Sequence, residues 1–194
     1  MSAKGERKTK TATKKKISGF HSAACDAGLL PQSGKEAVEG SYRAQIQLSK
    51  GGSFSGSLDV DGHFRAVEPQ SHRWDYGIGV QLMNGQELVC WVEPHPASST
   101  GQVSKMLEKL AWLKNKLDTP AFKKLKDMTQ ASGHTGSPYF WLRTVSGECR
   151  ISANSKEARL LALHGMRMPT QQVRLGAVQC LNDLAQRRSP VSPR

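Results

Sequence analysis

Asp75 and the triplet Glu93-Pro94-His95 are the residues best suited by type and spacing to do chemistry. They stand at opposite ends of a predicted β-hairpin, Trp74 to Leu82 and Gln86 to Glu93, folded about Asn84-Gly85. Two carboxylates and an imidazole meeting at the open end of such a hairpin would form a hydrolytic metal site. Carboxylate oxygens suit Mg²⁺ or Mn²⁺, and a nearby imidazole could ligate a softer ion or orient water. A cation held there would polarise a phosphodiester and activate water.

Whether these groups meet depends on strand register. With Asn84-Gly85 as a two-residue loop, Asp75 faces Pro94, and Asp75 and Glu93 project from opposite sides of the sheet. With Met83-Asn84-Gly85 as a three-residue loop, a type I turn followed by Gly85 in the left-handed region, Leu82 pairs with Gln86 and Asp75 lies opposite Glu93. Their Cβ atoms would then be roughly 5 Å apart. Like charges so close require a cation or a shared proton, so a well-formed pair implies a metal or a raised pKa. Asn-Gly suits both loops, and the three-residue form is the one that builds a site. Glu93 and His95, two apart on one strand, then share a face, and Pro94 between them suggests an edge or a bulge.

The elements that must position this hairpin are also legible. Arg43 to Leu48 alternates polar and apolar, Lys50-Gly51-Gly52 supplies a turn, and a second strand covers Ser53 to Val60. Asp61-Gly62 reads as a hairpin turn before Phe64 to Val67, and Gly19 to Gly40 reads as a loop. From Gln102 to Leu117 the residues Val103, Met106, Leu107, Leu110, Leu113 and Leu117 recur at helical spacing, with lysines mostly on other faces. Ser99 and Gln102 have the spacing of a capping box. A second helix is expected from Thr119-Pro120, burying Phe122, Leu125 and Met128. A strand from Tyr139 to Val145 follows, paired with Cys149 to Ser152 across Ser146-Gly147. A helix capped by Ser155 and stopped at His164-Gly165 comes next, then an amphipathic segment with Val178, Leu181 and Leu184. The fold class that results is α+β: a mixed, largely antiparallel sheet, a meander of about five to six strands covered by helices, in a single domain.

Charge is distributed unevenly. Of the formal +12, residues 1–16 carry +6 and the last eight residues +3, so the body is only weakly basic. A disordered basic arm over 1–18, one domain over 19–186 and a disordered basic tail over 187–194 are expected. Such an arm attracts nucleic acid through counterion release without choosing a sequence, with Lys14, Lys15 and Lys16 as its densest run. The same run would equally serve as a solubility tail or targeting address. Cys25, Cys90, Cys149 and Cys180 form no CxxC pair, which argues against a zinc knuckle or a dense disulfide framework and points to a reducing, cytoplasmic setting. No apolar run approaches the ~20 residues of a membrane span.

The Asp75 and Glu93-Pro94-His95 pattern resembles the PD-(D/E)XK nuclease superfamily, whose core places an Asp at one strand, an acidic-x-Lys triplet on the next, and then a helix. Here seventeen residues separate Asp75 from Glu93, and the helix from Gln102 follows. The resemblance covers about residues 70 to 120. It implies that Asp75 and Glu93 are ligands to Mg²⁺ or Mn²⁺ and that His95 takes the Lys position, with Trp74 in place of the Pro that precedes the Asp. The function it implies is metal-dependent hydrolysis of DNA or RNA. Arg73-Trp74 would contact the strand, the guanidinium on phosphate and the indole on a base, although the tryptophans are also natural core anchors. The alternative is a non-enzymatic accessory or inhibitor module that binds nucleic acid or protein through its arm. Asp59, Asp61, His63 and His72 are read as turn or surface residues.

Overall fold

The computed structural model describes residues 18–49, 51–133, 136–144 and 149–176. The Lys14-Lys15-Lys16 run, the Ser146-Gly147 turn and the segment carrying Val178, Leu181 and Leu184 lie outside them.

In chain order the elements are α1 (Gly19–Asp26), α2 (Gly40–Arg43), β1 (Ile46–Leu48), β2 (Ser53–Asp59), α3 (Val60–Phe64), β3 (Tyr76–Gln81), β4 (Glu87–His95), α4 (Gly101–Leu117), a 3₁₀ turn (Pro120–Phe122), α5 (Lys123–Gly133), β5 (Tyr139–Arg143), α6 (Lys156–Leu163) and β6 (Val173–Leu175). The architecture is α+β, as expected, with its strands divided between two sheets. Strands β2, β3, β4 and β5 form a four-stranded sheet in that order, antiparallel except for the parallel β4–β5 pair. Strand β1 leaves the expected meander and pairs in parallel with β6. No helix among the described residues is long and apolar enough to cross a membrane.

Strand β4 lies inside the sheet and is buried on both faces. Val89 and Trp91 join α1, α4, α5, α6 and Trp141 in one core, while Cys90 and Val92 join Ile78, Val80, Phe140, Leu142 and the β1–β6 ribbon in the other. The layers are therefore helices, sheet and ribbon. Glu93 and His95 continue the alternation of Val89 and Trp91 and so belong to the helix face.

Four local expectations are overturned. Residues 19–26 are helical, not loop: Phe20, Ala23 and Ala24 make a short buried stripe, Ser18 Oγ accepts the His21 N–H at 3.1 Å, and Glu87 Oε2 accepts the Phe20 N–H at 2.8 Å. Asp61-Gly62 is not a hairpin turn, because the Asp59 side chain caps Gly62 N–H at 2.8 Å and starts α3 in place of a strand. The expected strand from Cys149 to Ser152 does not form; Ile151 enters the core from irregular chain. Ser99 is not the cap of α4 either: Thr100 stands there with no side-chain cap bond. Ser155 and Gly165 do act as expected, Ser155 Oγ accepting Ala158 N–H at 3.1 Å and Gly165 ending α6 at φ +74°.

The hairpin takes the three-residue loop. Leu82 N–H donates to Gln86 O at 2.8 Å, Gly85 has φ +82°, and the ladder runs Gln81 to Glu87 through Tyr76 to Val92. Strand β3 is also bare on its helix face at Gly79, where a Cβ would lie 2.4 Å from the buried Phe20 ring.

These two glycines should respond differently to alanine. Gly85→Ala meets no atom within 4 Å, so its cost is that of a left-handed residue, about 1 kcal/mol. Gly79→Ala overpacks a ring that cannot withdraw and should cost more, toward about 3 kcal/mol. Urea denaturation checks both, as a lower midpoint at unchanged slope.

Candidate active site at the hairpin mouth

One step beyond the last ladder pair, Asp75 lies opposite Glu93, and the Asp75 N–H donates to Glu93 Oε2 at 2.9 Å. The Asp75 carbonyl accepts the Val60 N–H at 2.8 Å, so the residue is pinned between β4 and the start of α3. This is the juxtaposition that the three-residue loop predicts, and a third member joins it from outside the hairpin. Lys109, on the flank of α4, sends its ammonium between them, donating to Asp75 Oδ1 at 3.1 Å and to Glu93 Oε1. Glu93 is fully buried, and the Lys109 and Asp75 side chains are only 18% and 27% exposed.

Burial sets the electrostatics. It pushes the Glu93 carboxyl well above the usual carboxylate range, and the neighbouring Asp75 charge adds to the rise against the pull of Lys109. Burial raises Asp75 as well, again opposed by Lys109. Burial alone would disfavour the Lys109 charge, but Glu93 and Asp75 together outweigh it and hold its pKa above the ordinary lysine value. With both acids ionised the triad carries a net charge of −1. It is a partly dry pocket that favours one more proton or cation.

His95 shares this face but is bonded elsewhere. Its Nε2 is 2.8 Å from Gln102 Oε1, and its backbone oxygen accepts the Trp141 indole N–H at 2.8 Å. Burial lowers its pKa and outweighs the Gln102 bond, with the Lys109 and Lys105 charges lowering it further against the Asp75 charge, so the neutral ring is favoured. The Gln102 side chain expected in a capping box is engaged here.

Along α4 the residues Gln102, Lys109 and Lys116 are seven apart, and each reaches off the helix: Gln102 to His95, Lys109 to Asp75 and Glu93, Lys116 to Glu68. This heptad spacing beside the apolar stripe is the signal that could have singled out Lys109 among the helix's lysines.

Arg73 and Trp74, expected to contact nucleic acid, are both engaged within the fold. Trp74 is fully buried, its ring edge-on to Tyr139 at 6.3 Å between centroids, and it presents no face to a base. Arg73 holds Asp61 Oδ1 at 2.8 Å and the backbone oxygens of Glu68 and Ser71, so its guanidinium ties α3 to the loop that follows it. His63 packs on Phe64 and His72 pairs with Glu108 at 3.2 Å, both outside the triad.

Among the described residues no three His, Cys, Asp or Glu side chains converge to hold a metal. The donor set is two hard carboxylates, which fits Mg²⁺ or Mn²⁺ completed by water and phosphate and does not fit a caged zinc ion. Comparison with protein-family models, with curated proteins and with solved structures returned no match.

Removing Lys109 should expose the stress on Glu93. Lys109→Met leaves a buried carboxylate without its cation, a loss of about 3 kcal/mol near neutral pH. Because the folded-state pKa of Glu93 is raised, proton uptake favours the folded chain. The deficit should therefore shrink as pH falls toward the ordinary carboxylate range and widen as pH rises through the Glu93 value. Adding Glu93→Gln should recover part of it. Denaturant midpoints of the single and double variants from acid to neutral pH measure all three effects.

Proposed function

We propose that this chain is a Mg²⁺- or Mn²⁺-dependent nuclease whose reacting groups are Asp75, Glu93 and Lys109. The observation that carries the reading is the Lys109 ammonium set between the two acids at the hairpin mouth. In the nuclease superfamily that the sequence resembles, a lysine follows the second acid on the same strand. Here His95 stands at that position, and α4 brings a lysine to the acids from outside the hairpin.

Asp75 and Glu93 are the residues to hold the ion, which when bound supplies Lewis-acid polarisation of the phosphoryl oxygen and a more acidic water. In the hydrolysis the water oxygen bonds to phosphorus, the bond to the leaving oxygen breaks, and the water proton passes to a base while the leaving oxygen gains one. Lys109, protonated at neutral pH, suits stabilising the charge that develops on the phosphoryl group. It does not suit the role of base. His95 is neutral, and with Nε2–H donated to Gln102 its Nδ1 is an acceptor, which suits taking the water proton. The Lys-rich arm, with Lys14, Lys15 and Lys16, adds salt-sensitive affinity for the backbone.

A second reading draws on the same ion pair. Lys109 already compensates one of the two acids without a metal, as in a purely structural bridge, and the chain would then be a non-cleaving module that binds nucleic acid or a protein partner.

The test incubates the full chain with single- and double-stranded DNA and RNA, with and without Mg²⁺ or Mn²⁺. Metal-dependent cleavage is expected, reduced at least about 100-fold in Asp75→Asn, Glu93→Gln and Lys109→Met. Activity should climb with pH as Glu93 gives up its proton. Cleavage persisting undiminished in Glu93→Ala would eliminate the site. Binding without cleavage, unaffected by Asp75→Ala and abolished by deleting residues 1–16, would establish the second reading.

A further inference from the structure

Before a metal ion binds, and with both acids ionised, the triad carries a net charge of −1 and repels a phosphodiester. Lys109 cannot offset this alone, since its ammonium is already committed to Asp75 and Glu93. Among the described residues, two cationic side chains beside His95 are uncommitted.

The first is Arg143, the last residue of β5 and the parallel partner of His95 in the ladder. Strand alternation sets it on the face of Trp141, which belongs to the helix-side core, and so on the face of Glu93 and His95. Its Nε is buried with no hydrogen-bond partner, and among the described residues its guanidinium has neither a carboxylate nor a carbonyl to hold. An arginine Nε–H removed from water and left without an acceptor is a costly arrangement unless an anion arrives. Arg73, by contrast, is tied to Asp61, Glu68 and Ser71.

The second is Lys105. It lies three residues after Gln102 and four before Lys109, so it shares the helix surface that addresses His95 and the triad. It is exposed and forms no ion pair among the described residues. Among the described residues, one unpaired cation thus stands beside His95 on the strand side and one on the helix side.

We propose that Arg143 and Lys105 hold a backbone phosphate of the nucleic-acid strand on which Asp75, Glu93 and Lys109 act. The inference rests on the nuclease reading for its substrate. The planar guanidinium supplies paired donors to the phosphate oxygens, and the ammonium supplies a mobile point charge. Both are positioning residues: they register the strand against the triad and carry no sequence preference.

The experiment measures anisotropy of a fluorescein-labelled single-stranded oligonucleotide and of its duplex with the full chain in EDTA, over a range of salt. Arg143→Gln and Lys105→Gln should each weaken binding several-fold and flatten the plot of log affinity against log salt by about one. Arg143→Lys should restore the slope. With Mg²⁺ or Mn²⁺ present, both glutamine variants should raise KM more than they lower kcat. If Arg143→Gln fails to fold, as judged by thermal melting, the exposed Lys105→Gln decides the matter. Cleavage by the wild type together with unchanged slopes in both variants overturns the phosphate station and leaves the nuclease reading standing. Reduced slopes without cleavage under any metal retain the station and overturn the nuclease. A wild type that binds neither oligonucleotide overturns the station.

Discussion

Glu93 is a carboxylate with no access to water, and its need for partners organises the region around it. One oxygen takes the backbone N–H of Asp75, the other takes the ammonium of Lys109, and Asp75 in turn is fastened by its carbonyl to the first turn of α3. Three segments remote in sequence are thereby tied to one strand end. A buried ionised group left without these bonds would be several kilocalories less favourable, so the bonds are a condition of this packing. With both acids ionised, the arrangement also leaves one negative charge in excess.

The polar flank of α4 extends the same logic along the helix. Val103, Met106, Leu110, Leu113 and Leu117 press on the sheet, and Gln102, Lys109 and Lys116 run beside them at heptad spacing, each bonded to a residue outside the helix. An apolar stripe alone tolerates small rotations of a helix about its axis. Three directional polar contacts on one edge do not, because a turn of one residue, about 100°, would break all three. The helix orientation that delivers Lys109 to the acids is therefore held by packing and by charge together.

Much of the frame was legible. The Asn84-Gly85 turn, the two strands of the hairpin, the apolar periodicity of α4, Pro120 in the first turn of its short helix and the Ser155 and Gly165 caps are local signals, and the structure carries them through. The elements that went unread depend on other parts of the chain. Helix α1 is short, is capped partly by Glu87 from β4, and seats Phe20 over Gly79, a fit that no window around residue 20 contains. Strand β1 turns away from the meander because its partner, β6, lies far along the chain. At Asp59 a side-chain cap overrode the turn signal of Asp61-Gly62, since both uses of that sequence are locally favourable.

For the site itself, residue types and spacing determined that two acids stood at the ends of one hairpin and that His95 shared a face with the second. Tertiary structure decided what those acids became. It selected the three-residue loop, buried Glu93, committed Arg73 to Asp61, enclosed Trp74, and brought Lys109 between the two acids. The physical reason is range. Turn chemistry and periodicity act over a few residues, whereas the protonation and partners of a buried carboxylate are set by every element that removes water from it.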